Sequence, residues 1–416
     1  MAKKGTAISP RLQRLQEQLE VGKNKALKMF WEEVKEQGSP LIEQTEGDDQ
    51  HRLVTFLWRA SGELMSVALV SLMTNPSRYY MTLVPETDLW YLSLHLPSNL
   101  RATYQFFPQE RSASVKKNES ITRDPYLPDP LNPNIFRFYT ETEDPTGVKF
   151  ARSVLELPDA SSQLWIAPQK GVAKGKVHLH TMESKILGNE RRVWVYSPAK
   201  YTAELGAPLS LMILFDGWGY ANLMPTFTIL DNLIADQLIP PTVVVMPDSL
   251  DTETRLKELV FHLPFNQFLV SELMPWIYRQ YAVTTDPAKT VIGGSSAGGL
   301  AAAYAALEYP QMFGNMLAQS GAFSLAPPWE TDYGWLARQY ALREKSSLRF
   351  HLDVGTLEEN SYQELRSRPS TLEGNRHMRD TLTEKSYPVH YVEFSGGHDY
   401  ISWQGTLGEG LRALLG

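Results

Sequence analysis

One short stretch limits the possible folds more than any other. The chain runs Thr290-Val291-Ile292, then Gly293-Gly294-Ser295-Ser296-Ala297-Gly298-Gly299, then into the apolar residues 300–307. β-Branched residues, a turn built only of glycine, serine and alanine, and a helix-forming run together predict a strand–turn–helix unit. Gly294, Ser296 and Gly298 fit G-x-S-x-G with Ser296 at the centre. The requirement is steric. A nucleophile presented at the tip of so sharp a turn tolerates only small neighbours, and its hydroxyl then stands at a sheet edge above a helix N-terminus. Ser295 is the rival centre, but Ala297 stands two residues after it where the pattern needs glycine. The same glycines suit a phosphate cradle, yet the lysine of a G-x-x-x-x-G-K-S/T loop is missing.

The surrounding sequence supplies a frame for such a turn. Apolar runs at 209–215, 242–246, 290–292 and 350–354 are aliphatic or β-branched on both faces, the pattern of strands buried on both sides in a parallel sheet. Helical stretches are expected at Met224–Asp236, Phe265–Tyr281 and Gly298–Tyr309. Alternating strand and helix predicts an α/β domain. With the serine turn it predicts an α/β-hydrolase, a mostly parallel sheet flanked by helices.

A serine hydroxyl needs a general base, and in α/β-hydrolases the order along the chain is serine, carboxylate, histidine. Only His351, His377, His390 and His398 follow Ser296. His351 and His390 fall inside strand-like runs, and His377 in a charged, helical stretch. His398 follows the last strand-like run, 389–394, in the loop Ser395-Gly396-Gly397-His398-Asp399-Tyr400, where two glycines let the chain bend back over the sheet edge. His398 is therefore the expected base. The acid is sought after the run 350–354. Glu358, three residues beyond Gly355, is favoured over Asp353, which is still on the strand, and over Glu359. Its task is to fix the imidazole tautomer and stabilise the imidazolium.

An oxyanion needs backbone donors. The N–H of Ala297 is one. The second is expected from Asp216-Gly217-Trp218-Gly219, after the run 209–215, with Trp218 first and Gly217 second; Trp218 is also placed as a pocket wall. The loop after 242–246 leaves the same sheet edge and brings Arg255, a candidate for an anionic substrate, with Glu258 to orient it; at i, i+3 the pair equally fits a helix surface. His178 and His180 share one strand face, but a metal site needs at least one more ligand, so neither a metal nor a cofactor is expected.

The first part of the chain reads differently. Residues 8–37 carry Leu12, Leu15, Leu19, Leu27 and Phe30 at helical intervals, with Lys23, Lys25 and Lys28 on a solvated face. From about 51 to 145 the period becomes two: Val54, Phe56 and Trp58; Val67–Leu72; Trp90, Leu92, Leu94 and Leu96; Ala102, Tyr104 and Phe106. Turns at Asn75-Pro76 and Pro97-Ser98-Asn99 separate these short strands, which predict an all-β sandwich. Asp124-Pro125, Pro128-Asp129-Pro130 and Asn132-Pro133 read as loop. The expected organisation is a helix plus sandwich over 1–150, a linker over 151–175 and the hydrolase domain over 176–416.

Composition closes off other classes. Of 416 residues 43% are hydrophobic and 21% charged, a globular balance. The formal net charge of −7 argues against a nucleic-acid partner, and no apolar run is long enough to span a membrane. The absence of cysteine excludes disulfides and thiolate chemistry and fits a reducing compartment. Met1-Ala2-Lys3-Lys4 lacks the apolar core of a signal peptide, so a cytoplasmic location is expected.

These motifs together resemble the enterochelin (ferric enterobactin) esterase family. The resemblance covers both halves. It is carried by Val54-Thr55-Phe56-Leu57-Trp58-Arg59, Tyr104-Gln105-Phe106, Asp129-Pro130-Leu131-Asn132-Pro133 and Arg191-Arg192-Val193-Trp194-Val195. Further along it includes Asp216-Gly217, Asp251 with Arg255 and Glu258-Leu259, the serine turn, Gln319-Ser320-Gly321 and Gly396-Gly397-His398-Asp399. One departure is that Ser295 and Ala297 stand where a bulkier pair is expected. The resemblance implies an immunoglobulin-like sandwich before an esterase-D-type hydrolase domain, and hydrolysis of the tri-serine trilactone of a ferric catecholate siderophore so that iron is released. It implies Ser296 as nucleophile, His398 as base, Glu358 as acid, and Arg255 against the anionic catecholate. Because the chain is negative overall, attraction for that ligand must be local, at Arg255 and Lys257 with Arg111, Lys116, Lys117 and Arg123 from the first domain. Two other readings suit the same fold: a feruloyl or acetyl esterase whose sandwich binds carbohydrate, and a catalytically silent binding protein on a hydrolase scaffold.

Overall fold

The computed structural model describes residues 9–22, 25–71, 78–110, 126–139, 147–199, 208–360 and 368–416. Packing divides the chain into two units, Met1–Ser161 with Ser395–Ile401, and Ser162–Phe394 with Ser402–Gly416. Lys23, Asn75-Pro76, Asp124-Pro125, Arg111, Lys116, Lys117 and Arg123 lie outside the described residues.

The first unit opens with two helices where the periodicity predicts one. α1 (Pro10–Glu20) starts on the hydroxyl of Ser9, which accepts from the N–H groups of Arg11 and Leu12, and α2 spans Ala26–Gln37. Gly22 lies between them at φ +77°, a left-handed conformation that stops the first helix. The apolar stripe survives the break. Leu12, Leu15, Phe30, Trp31 and Val34 pack with Leu41, Leu57 and Leu89.

Nine strands follow: β1 (Leu41–Thr45), β2 (Asp48–Arg59), β3 (Leu64–Ser71), β4 (Arg78–Tyr80), β5 (Thr82–Leu83), β6 (Leu89–Pro97), β7 (Arg101–Glu110), β8 (Ile135–Tyr139) and β9 (Val148–Glu156). They form two antiparallel sheets ordered β1-β2-β6-β5 and β4-β3-β7-β9-β8. The alternation in β2 and β7 brings the sheets face to face through Phe56 against Tyr104 and Trp58 against Phe106, edge to face with centroids 4.9 and 5.3 Å apart. On the other face of β2, Leu57 meets the helices. This explains why Leu53–Leu57 is buried without a break. The sandwich is thus present, and the boundary expected at 150 falls inside β9, which follows the proline-rich loop and β8. That loop is docked by two of the motifs quoted above. The Tyr104 hydroxyl donates to Asp129 Oδ2 (2.8 Å) and accepts from Asn132 Nδ2 (3.0 Å). Burial raises the pKa of both Tyr104 and Asp129.

The second unit holds one eight-stranded sheet. Its strands are β10 (Lys176–Ser184), β11 (Asn189–Ser197), β12 (Ser210–Leu214), β13 (Thr242–Pro247), β14 (Thr290–Ser295), β15 (Asn315–Gln319), β16 (Arg349–Gly355) and β17 (Val389–Phe394), ordered β10-β11-β13-β12-β14-β15-β16-β17. β10 and β11 pair antiparallel with each other, β11 pairs antiparallel with β13, and every later pairing is parallel. β12 and β13 are buried at every position, as their continuous apolar runs predict. The helices are α3 (Gly217–Asn222), α4 (Thr226–Ala235), α5 (Thr252–Leu259), α6 (Leu263–Phe268), α7 (Met274–Gln280), α8 (Ala297–Glu308), α9 (Trp335–Leu342), α10 (Thr371–Glu384) and α11 (Tyr400–Leu415). The single helix expected over Phe265–Tyr281 is interrupted by a π-helical turn, Leu269–Leu273, just before Pro275. Proline has no N–H to continue the ladder, so the helix widens there. Among the described residues no helix is long and apolar enough to cross a membrane.

Candidate active site

Ser296 sits between the end of β14 and the start of α8 with φ +57° and ψ −119°, a strained conformation for a residue with a side chain. Three hydrogen bonds hold it there. Its N–H donates to the Gln319 carbonyl (2.9 Å), and its own carbonyl accepts from Ala322 N–H (3.0 Å) and Leu300 N–H (3.1 Å). Its glycines answer to close contacts. A Cβ on Gly294 would lie 2.8 Å from the Gly298 carbonyl carbon, and one on Gly298 would lie 3.1 Å from Asp216 Oδ2. Ser296 is partly exposed, whereas Ser295 is 1% exposed and still on the strand. The geometry thus separates the two serines as the motif does.

The turn expected to supply the second oxyanion donor follows β12. Asp216 has φ +60° and precedes α3, whose first residues are Gly217 and Trp218. The first N–H groups of a helix have no intrahelical partner. Gly217 has no room for a side chain, since a Cβ would lie 2.3 Å from the Met246 carbonyl oxygen. Trp218 is partly exposed. Arg255, on α5, grips Asp216 through Nε to Oδ1 (2.6 Å) and Nη2 to Oδ2 (2.7 Å), and Ser249 donates to the same Oδ1 (2.7 Å). The orienting partner of Arg255 is therefore Asp216. Glu258, given that task by its i, i+3 spacing, is instead buried against Arg191 (2.8 Å) and Asn189 (2.9 Å). The side chains of Arg191 and Glu258 are 1% and 4% exposed, and the Arg191 guanidinium also lies 4.9 Å from the ring centre of Phe268. A buried arginine captures the nearest carboxylate, and the helical spacing of Arg255 and Glu258 does not compete with it.

The three candidate acids part clearly. Asp353 is fully buried on β16, with Oδ2 3.3 Å from His351 Nε2 and 3.5 Å from Gln319 Nε2. Glu359 is exposed. Glu358 lies in the 3-10 turn Thr356–Asn360, is 2% exposed, and accepts through Oε1 from the Ser320 hydroxyl (2.6 Å) and from Gly355 N–H (2.9 Å). The histidines part as well. His351 and His390 stack across β16 and β17, with their Nδ1 atoms 2.9 Å apart. His377 is exposed on α10. His398 is four residues past the end of β17 in the loop that precedes α11. His180 bonds to the Tyr281 hydroxyl (2.7 Å), and burial, then the His178 charge, lower its pKa. No cluster of three or more histidine, aspartate or glutamate side chains suited to a metal occurs among the described residues.

Sequence reasoning gave no role to Gln319, Ser320, Trp403 or Tyr220. Gln319 Oε1 accepts from the Tyr220 hydroxyl (2.8 Å), and its Nε2 donates to the Trp403 carbonyl (2.8 Å) and to Thr406 Oγ1 (2.7 Å). The Trp403 indole N–H donates to Ser320 Oγ (2.9 Å). The only signal was Gln319-Ser320-Gly321 among the motifs of resemblance.

A serine on a strained strand-to-helix turn, at the carboxyl edge of a mostly parallel sheet, defines a protein of the α/β-hydrolase class. Comparison with known proteins gives the family. The model described as "Putative esterase" matches residues 184–414, and the one described as "Enterochelin esterase, N-terminal" matches residues 53–166. The iron(III) enterobactin esterase of Escherichia coli O6:H1 is 30% identical over 392 residues, covering 88% of this chain and 92% of that protein. The crystal structure of the ferric enterobactin esterase of Salmonella typhimurium superposes with a TM-score of 0.75 at 28% identity, covering 93% of this chain and 98% of that one. The Shigella flexneri enterobactin esterase, crystallised in the presence of enterobactin, gives 0.71 at 28% identity over 91% and 96%. The chain belongs to the enterochelin (iron(III) enterobactin) esterase family.

Proposed function

We propose that this protein hydrolyses the trilactone ester bonds of a ferric catecholate siderophore of the enterobactin type, weakening chelation so that iron is released. One observation carries the reading: the likeness to iron(III) enterobactin esterases runs through both units, 88% of this chain and 92% of the relative. A shared hydrolase domain alone would support only an esterase.

In the proposed reaction Ser296 Oγ attacks a lactone carbonyl while His398 takes its proton. The N–H groups of Ala297 and Trp218 receive the developing oxyanion, each such donor being worth about 2.7–4 kcal/mol in the transition state. The tetrahedral intermediate collapses, and His398 returns the proton to the departing serine oxygen of the trilactone. Water then attacks the acyl-enzyme by the same route, and a free carboxylate leaves. Glu358 is the acid that orients His398; its burial and its two bonds at Oε1 support that role. Arg255 keeps the Asp216-Gly217-Trp218 turn in shape, and its exposed edge, with the exposed Lys257, draws the anionic complex in against a net charge of −7. The reaction is placed in the cytoplasm after import of the ferric complex; the cysteine-free sequence fits a reducing compartment.

The test is incubation of the pure protein with ferric enterobactin and chromatography of the products. Linear dihydroxybenzoylserine species are expected from the wild type and none from Ser296→Ala. An intact trilactone with wild-type protein, or full cleavage by the variant, overturns the proposal.

A further inference from the structure

The dipeptide Gln319-Ser320 ends β15 between the serine turn and the 3-10 turn that carries Glu358. Its two residues do different work. The carbonyl of Gln319 accepts the N–H of Ser296 at 2.9 Å and so sets the height of the nucleophile's backbone. Ser320 follows at φ +49°, a left-handed conformation that a serine adopts only when its surroundings hold it there. It is fully buried, and its N–H donates to the Asp353 carbonyl at 2.7 Å. That backbone twist aims the hydroxyl at Glu358 Oε1, 2.6 Å away. The hydroxyl has one proton, and the indole N–H of Trp403, 2.9 Å from Ser320 Oγ, fixes where it goes. Trp403 can only donate, so Ser320 accepts from it and gives its own proton to the carboxylate. The direction Trp403 to Ser320 to Glu358 is therefore set by chemistry.

We infer that Ser320 is a positioning residue for the catalytic acid: with Gly355 N–H it pins Oε1 of Glu358, fixes the carboxylate plane, and so orients the base through Glu358. The inference rests on the reading of Glu358 as the acid. Asp353 and Glu359 are each without this hold. The carboxylate of Asp353 faces His351 and Gln319, and that of Glu359 is exposed. Ser320 touches no reacting atom. Its effect should fall on turnover and on the acid limb of the pH profile, and not on substrate binding.

The experiment uses the full chain and p-nitrophenyl acetate, so that it does not depend on the siderophore. Ser320→Ala should lower kcat about tenfold, as expected for losing a hydrogen bond to a charged group, with KM little changed and the acid limb displaced. Trp403→Phe keeps a ring in place but removes the N–H, and should move the same limb in the same direction by less. Glu358→Gln should lower kcat by about two to four orders of magnitude, and adding Ser320→Ala to it should cost nothing more. If Glu358→Gln is near wild type, the assignment of the acid fails. If Glu358→Gln is damaging but Ser320→Ala leaves both kcat and the pH profile unmoved, or if the two losses multiply, the role of Ser320 is overturned. Should Ser320→Ala fail to fold, Trp403→Phe decides: a wild-type profile sinks the inference.

Discussion

Arg255 holds both carboxylate oxygens of Asp216, Nε on Oδ1 at 2.6 Å and Nη2 on Oδ2 at 2.7 Å. Asp216 is the left-handed residue from which Gly217 and Trp218 depart, so the pair governs the turn assigned to the oxyanion. With a carboxylate already against it, the guanidinium has less charge to offer a ligand than its sequence position suggests. Arg255→Gln is therefore expected to lower kcat by about tenfold or more, with a smaller rise in KM, and Asp216→Asn to act in the same direction. Steady-state kinetics on ferric enterobactin decide it. A raised KM with kcat intact would mean that Arg255 only binds the substrate.

The buried pair of Arg191 and Glu258 leads to an expectation about stability. Removing one partner leaves the other charge buried and alone, which costs about 3–5 kcal/mol. Glu258→Ala should lower the urea midpoint of the second unit accordingly. Replacing both residues with apolar side chains of similar size should restore most of the loss. A Glu258→Ala variant as stable as the wild type would show that the charge finds water.

At the serine turn the prediction is steric. A Cβ on Gly294 would meet the Gly298 backbone at 2.8–3.0 Å, closer than real Cβ contacts come. Gly294→Ala should abolish labelling of Ser296 by a fluorophosphonate, through displacement of α8 from the strand. Ala297→Gly, which removes a methyl and keeps the N–H, should label normally. Equal labelling of both variants would count against the turn as drawn.

The stacked histidines set a pH dependence. Partial burial, then the facing His351, hold the pKa of His390 below the ordinary imidazole value of 6.5, while Glu409 and Asp353 oppose the shift. The unfolded chain thus binds a proton that the folded chain refuses. This contribution to stability is complete above about pH 6.5 and is lost as the pH falls toward the folded pKa. Urea midpoints measured at about pH 7.5 and about pH 5 should differ, and His390→Gln should shrink the difference. A variant with an undiminished difference would place the titration elsewhere.

How much of this was legible in the sequence depended on distance along the chain. The strand–turn–helix around Ser296 was readable because the strand, the glycines and the helix are neighbours, and the constraint on them is local. Strands β2, β3, β6, β7, β12, β13, β14, β16 and β17 were readable for the same reason, whereas β1, β4, β5, β8, β9, β11 and β15 drew no strand reading. Position alone favoured Glu358 over Asp353 and Glu359 only weakly, because the hydroxyl that grips it lies 38 residues away. Glu258 was misassigned because spacing on one helix turn is visible, whereas Arg191, 67 residues earlier, is not. The first helix was drawn too long because Leu12 to Phe30 keep one apolar stripe across the break at Gly22, so the periodicity continues where the backbone does not.

The burial of Arg191 has a wider meaning. The Arg-Arg-Val-Trp-Val segment is among the most recognisable stretches of this chain, and its first arginine is 2% exposed, spent on Glu258 and the Phe268 ring. Tyr104, Asp129 and Asn132 are likewise a signature and likewise consumed internally. Such residues act as keystones, each set closing the interior of its own unit. Substitution of the exposed Lys257 or the partly exposed Trp218 leaves both sets untouched, so the surface of the second unit can vary while its interior stays fixed.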